Sequence, residues 1–465
     1  MRKKNVILPL LVILTLLYGC KKEENINFEF DNSQDFVPTE LDEWLYTTFL
    51  NPYNIEVVYR YDRYKGNIER NIAPVREDKV KGQMLVVLDG FLKPYDDIAG
   101  TTFIKTFTPK EWVLFGSTSY NDDGSMILGT AAGGRNVTLY EVNALNNTDA
   151  DQVRRRLRTI HHEFTHILQQ NKTMPLDFEG ISEGDYFDDW TNNDLNPQKL
   201  SDSLGFVSRY ARSQYFEDFA ETAAHLLMEG QLWYDHHAKQ YNKTTYDRLK
   251  KKETSVVNYF RDSHNIDFRK LQRELQSIMY EEFNDKIAQS LGNWLLTKSL
   301  FTSPSYNSAT VSPDYGALVD AFKLGMYNYH STARYEAQDI QFRINPEDNT
   351  MIVRVPFRAT GGDNTTTVYL ADWNFAYNYD AESQKVIFTK TEQGEGAVYN
   401  NANLFMGPFM DNISTYLTSS PFIMDWSLMN RELTRRDEDY YNTGGFYKEN
   451  DRNSFMSFVL ERIKF

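Results

Sequence analysis

The pentapeptide His162-Glu163-Phe164-Thr165-His166 constrains this 465-residue chain more than any other stretch, because it ties a local conformation to one kind of chemistry. On a helix, residues four apart share a face, so both imidazoles can reach a single divalent metal ion from the same side. Glu163 then stands beside that ion, placed to take a proton from water. The surrounding sequence is helical in period. Val153, Leu157, Ile160, Phe164 and Ile167 recur at spacings of three and four and predict one amphipathic helix from about Asp149 to Gln170. Thr148 or Asp149 can cap its start, and Pro175 limits its continuation. The two histidines fall beside the apolar stripe rather than within it, which turns them toward a cleft. His161 points about 100° away from His162 and is not counted as a ligand.

Two imidazoles leave a catalytic metal site one protein donor short, since such sites take three protein groups and keep one position open. The segment from Tyr210 to Glu221 offers the third. Phe216, Phe219, Ala220, Ala223, Leu226 and Leu227 give it a second amphipathic period, while Glu217, Glu221 and His225 line another face. One carboxylate can bind metal while the next holds a ligand histidine, because a ligating imidazole normally donates its free N–H to an oxygen acceptor. Asp218 and Glu221 stand as alternatives to Glu217.

HEFTH, followed some fifty residues later by YARSQYFEDFAE, resembles the gluzincin-type zinc metallopeptidases related to the catalytic domain of anthrax lethal factor, including the clostridial Pro-Pro endopeptidases. The match spans roughly residues 150 to 230. It implies a zincin-like domain, a mixed sheet with the HExxH helix, and a Zn2+ ion held by His162, His166 and Glu217. It further implies Glu163 as general base, Tyr210 as the donor to the oxyanion of the tetrahedral intermediate, and Glu221 as the partner of a ligand histidine. In peptidases of this type the sheet edge beside the helix receives the substrate as an added strand. Gly129-Thr-Ala-Ala-Gly-Gly134 is placed for that, with a bulge or wide turn as the alternative.

The N-terminus bears on location. Arg2, Lys3 and Lys4 precede an apolar run from Val6 to Leu17, too short to span a membrane and patterned like a secretory signal over 1–19. Leu17-Tyr18-Gly19-Cys20 resembles a bacterial lipobox, and Cys20 is the one cysteine in the chain. It reads as the acylated first residue of a mature lipoprotein, and no intramolecular disulfide can form. Residues 20–34 are polar and aperiodic and read as a tether. The run Lys21-Lys22-Glu23-Glu24 resembles the signal that sends Bacteroidetes lipoproteins to the outer face of the outer membrane. Losing Arg2, Lys3 and Lys4 with the signal leaves 47 basic against 65 acidic residues, a net −18. Nucleic acid is therefore excluded as a partner, since binding it needs a concentrated positive face.

The length implies more than one domain. The composition points to an α+β fold, with the metallopeptidase domain over 35–285 and a β-rich accessory domain over 286–465. In the first, a helix is expected near Leu41 to Leu50, a strand over Ile55 to Tyr61 and a helix near Val80 to Leu92. Trp112 to Tyr120 and Met126 to Tyr140 read as strands joined by the turn Asn121 to Gly124. Glu179 to Asn196 reads as a solvated active-site loop whose aspartates lack the spacing of a calcium hand. His236 and His237 read as surface histidines. In the second, Ser312-Pro313-Asp314 opens a helix through Tyr327, and Ile340 to Ile344, Met351 to Phe357, Thr366 to Tyr379 and Lys385 to Thr391 alternate as strands. Trp373, Phe375, Tyr377 and Tyr379 share a face that suits core packing better than a sugar or peptide platform.

Lipobox, HEFTH and β-rich extension together resemble the zinc metallohydrolase lipoproteins of Bacteroidetes that accompany outer-membrane nutrient importers. That organisation implies a surface peptidase acting on peptides or glycopeptides beside such an importer. The alternative is a non-catalytic metal-containing binding lipoprotein of the same import system. Glu163 argues against it, because binding alone needs no base beside the ligands.

Overall fold

Asp149 caps the helix that carries the histidines: its carboxylate accepts from the amides of Asp151 and Gln152 at 3.0 and 3.2 Å. A computed structural model describes residues 37–66, 69–120, 126, 127, 129–132, 135–362 and 365–465. The signal-like segment, Cys20, the tether and the turn Asn121 to Gly124 lie outside the described residues, as do Gly133 and Gly134. The capped helix runs from Ala150 to Asn171, as its period predicts. Elements are named here in chain order. Helix α1 is Glu77–Val87, α2 is Ala150–Asn171, α3 is Tyr215–Met228, α4 is Gly230–Lys239, α5 is Lys243–His264 and α6 is Phe268–Glu281. Strands β1 (Glu56–Val58), β2 (Glu111–Leu114), β3 (Gly129–Ala132) and β4 (Asn136–Leu139) form one sheet.

That sheet has the order β1-β2-β4-β3. β1, β2 and β4 run parallel, and β3 lies antiparallel on the outer edge. The expected strand from Trp112 to Tyr120 breaks in two, because the Gly116 amide turns away to the Ala73 carbonyl, 2.9 Å distant. Ser119–Tyr120 then pairs antiparallel with Met126–Ile127. The helix near Val80 to Leu92 is α1 continued by a wider turn over Leu88–Leu92.

The apolar stripe of α2 is almost wholly withdrawn from water: Val153, Leu157 and Leu168 are 0% exposed. Phe164 sets its ring edge-on to Phe91 and Tyr95, at 4.9 and 5.1 Å between centroids. Gly90 allows that crossing, since a Cβ there would meet Leu157 Cδ1 at 2.4 Å. α3 presents Phe219, Ala220, Ala223 and Leu227, all 0% exposed, and its alanines let helices approach closely. Its terminal carbonyls are satisfied from α6. Gln272 Nε2 donates to Leu226 O at 2.6 Å, and Gln276 Nε2 to Leu227 O at 2.8 Å. The sequence pattern left α5 and α6 unassigned.

From Ser305 onward strands alternate with a few helices, the longest of them Pro313–Asn328. Nine strands between Ser305 and Val459 form a second sheet, antiparallel at each pairing. Trp373, Phe375 and Tyr377 are buried in its core, and Trp373 stacks on Phe409 at 4.0 Å, so this aromatic row packs and is no exposed platform. The strands Phe422–Trp426, Thr443–Lys448 and Asp451–Val459 were not anticipated. Residues Leu45–Phe465 make one compact unit. Among the described residues no helix is long and apolar enough to cross a membrane.

Candidate metal centre

His162 and His166 lie one turn apart on α2, and Glu217 lies in the first turn of α3. Packing of α3 along α2 brings their donor atoms into a triangle. His162 Nε2 is 3.0 Å from His166 Nε2, and Glu217 Oε2 is 3.0 Å from each nitrogen. A tetrahedral ion with bonds of 2.0–2.2 Å separates its donor atoms by about 3.3–3.6 Å, so two imidazoles and a carboxylate 3.0 Å apart fit zinc after a small outward shift. Among the described residues this is the one group of three His, Cys, Asp or Glu whose ligand atoms converge in this way. The first turn of a helix also favours an anionic ligand, because the exposed amides there carry positive charge.

The remaining nitrogens are held as well. Nδ1 of His162 stands 2.9 Å from Glu221 Oε1, and the other Glu221 oxygen accepts from Ser208 at 2.6 Å. Nδ1 of His166 faces Gln169 Oε1 at 2.7 Å. The bond to Gln169 places a proton on Nδ1 of His166 and leaves its Nε2 free to bind metal, while Glu221 sets its charge beside Nδ1 of His162.

Burial disfavours charge on His162, but Glu217 and Glu221 outweigh it and push its pKa up to about 10. Burial likewise opposes ionisation of Glu217, while His162 and His166 prevail and hold it down at about 2. Two carboxylates and a pair of imidazoles thus attract a cation, proton or metal, and the two compete.

Glu163 is half-buried next to His162, and its charge is felt by both His162 and Tyr210. Tyr210 sits in the loop before α3, its ring 5.6 Å from His162 on one side and 4.8 Å from Trp190 on the other. Burial, then the charges of Glu217, Glu163 and Glu221, raise its pKa and keep it a neutral donor.

Asp218, a sequence alternative for the third donor, faces the other way. Its Oδ2 is 2.7 Å from Lys252 Nζ, both side chains being 0% exposed, and it also accepts from Tyr186 at 3.0 Å. Glu221, the second alternative, reaches the far nitrogen of His162 rather than the triangle. His225 Nδ1 bonds to the Glu221 carbonyl at 2.8 Å, and His161 Nε2 lies 3.1 Å from the Gly90 carbonyl. His237, expected at the surface, is 7% exposed. It stacks on Trp233 at 4.9 Å with Nε2 3.0 Å from the Phe206 carbonyl.

The loop from Glu179 to Asn196 is fastened by arginines. Arg212 reaches Asp185 O at 2.7 Å and Asn196 Oδ1 at 3.0 Å, and Arg209 reaches Trp190 O at 2.8 Å. Gln169, Ser208 and Lys252 were missed by the sequence pattern. Only Gln169 left a signal there, its spacing of three from His166.

The family model described as "Putative zinc-binding metallo-peptidase" matches residues 34–269, half of the chain and the part holding every residue of the donor triangle. The chain is similar to a zinc-binding metallo-peptidase of Bacteroides caccae described in the same terms, whose crystal structure matches at 31% identity. That match covers 53% of this chain and 95% of the other, with a TM-score of 0.46. No curated protein matches. By the extent of the family match, this chain belongs to that zinc-binding metallo-peptidase family.

Proposed function

We propose that this protein is a gluzincin-like zinc peptidase that cleaves proteins or glycopeptides at the bacterial cell surface, anchored through lipid on Cys20 and serving an outer-membrane nutrient importer. The observation that carries the hydrolytic reading is the donor triangle with Glu163 and Tyr210 beside it. A zinc ion there would supply Lewis acidity toward a peptide carbonyl and make water ionisable near neutral pH. Glu163 takes the proton from the attacking water and returns it to the leaving amine, so it serves as base and then acid. The Tyr210 hydroxyl, kept protonated by burial and by the charge of Glu217, donates to the oxygen on which negative charge develops. Glu221 and Gln169 hold the two imidazoles. Among the described residues β3 is the outer strand of its sheet, where a substrate would be added as a strand. Surface location and the importer rest on the sequence resemblances alone.

The test is Glu163→Gln against a peptide and glycopeptide library. The variant should bind zinc like the parent and lose turnover; cleavage at the parental rate would sink the mechanism. Cys20→Ala, expressed in the native host, should move the protein from the membrane to the soluble fraction.

A further inference from the structure

One side chain connects two of the three donors across the helix boundary. Gln169 lies on α2 three residues after His166, and its Oε1 is 2.7 Å from His166 Nδ1. Its Nε2 donates to the Phe216 carbonyl at 3.2 Å, and Phe216 is the residue immediately before Glu217. The orientation of the amide follows from chemistry. The carbonyl of Phe216 can only accept, so the NH2 end must face it and the oxygen must face the imidazole. That oxygen then requires a proton on Nδ1 and leaves the Nε2 lone pair for the triangle.

We infer that Gln169 is a positioning residue for the metal centre: it fixes the tautomer and rotation of His166 and, through the Phe216 carbonyl, the separation between His166 and Glu217. This inference rests on the proposed zinc site. The two histidines are served differently. His162 has a carboxylate at its outer nitrogen, which carries charge, whereas His166 has a neutral amide that both accepts and donates. A glutamate at 169 would keep the acceptor for His166 but would set an anion against the Phe216 carbonyl. A leucine would keep the bulk and lose both contacts. Gln169 is half-buried near the end of α2, so neither change empties a core position.

Zinc affinity tests this directly, measured on the full-length protein by competition with a chromophoric chelator, together with the melting temperature of the metal-free form. Outer partners of ligand histidines are worth about 10- to 100-fold in metal affinity. Gln169→Leu should therefore weaken zinc binding by that factor, with the metal-free melting temperature close to parental. Gln169→Glu should recover part of the loss, since it restores the acceptor for His166 but not the donor to the Phe216 carbonyl. A parental zinc affinity in Gln169→Leu overturns the inference, and so does a parental affinity in Gln169→Glu, which would leave the contact to Phe216 without a role. His166→Ala run alongside separates the two levels of the argument. If it too binds zinc like the parent, the proposed site itself is wrong. If it loses zinc while Gln169→Leu does not, only the role of Gln169 falls.

Discussion

His166 and Glu217 lie 51 residues apart in the chain, yet Nε2 of one is 3.0 Å from Oε2 of the other. No local pattern forces that meeting; it arises because the alanine face of α3 packs along α2 and α6 holds the far end of α3. Removing either donor leaves two protein groups. His166→Ala and Glu217→Ala should each weaken zinc binding by ~100-fold or more, and Glu221→Ala, which strips only the outer contact of His162, by about 10- to 100-fold. The measurement is chelator competition on refolded, metal-free protein. Parental affinity in Glu217→Ala would show that the triangle is not a metal site.

Tyr210 separates chemistry from binding. Tyr210→Phe keeps a ring of nearly the same size between His162 and Trp190 and removes only the hydroxyl. If that hydroxyl stabilises the oxyanion, kcat/KM should fall by about 10²- to 10³-fold, with zinc affinity within twofold of the parent. A variant as active as the parent would reduce Tyr210 to a packing residue.

Much of the site was legible because its information is local. The spacing of His162 and His166 and the stripe of Val153, Leu157, Ile160 and Phe164 both follow from helical period, and Asp149 caps the helix where the pattern begins. Strands such as Thr350–Ala359 and Val368–Asp380 were legible for the same reason, since their residues alternate between core and surface. What escaped depends on partners distant in sequence. Gly444 and Gly445 discourage a strand by type, but a Cβ at Gly445 would lie 2.0 Å from the Met456 carbonyl, so the neighbouring strand demands glycine. His237 looks like a surface residue until the Phe206 carbonyl, 31 positions away, accepts a hydrogen bond from its Nε2. Lys252 sits in a stretch rich in lysine, yet its ammonium is buried against Asp218.

The Lys252–Asp218 pair should be a large contributor to stability when broken and a small one when replaced whole. Lys252 Nζ also donates to the Gly205 carbonyl at 2.7 Å, so the ammonium ties α5 to the loop that leads to Tyr210. Lys252→Met leaves the Asp218 carboxylate buried with only hydroxyl partners, and unfolding free energy in urea should drop by about 3–5 kcal/mol. Adding Asp218→Asn removes the orphaned charge and should recover part of that loss. Additive effects of the two changes would mean that they are not coupled.

Acid sensitivity should include a contribution from His264, which is not part of the donor triangle. The ring is 9% exposed and is surrounded edge-on by Phe103, Phe107 and Tyr259. Burial, aided by the charge of Lys172, lowers its pKa to about 4. A base whose pKa is depressed by folding is neutral in the native state and takes up a proton on unfolding. Its contribution is therefore complete above pH 6.5 and is lost as pH falls from there toward 4, with a slope of at most about 1.4 kcal/mol per pH unit. His264→Phe suits the aromatic surroundings and cannot titrate. Denaturant midpoints of the metal-free protein, taken at steps between pH 7 and 4, should fall less steeply for His264→Phe than for the parent. Parallel curves for the two proteins would mean that His264 takes up no proton on unfolding in this range.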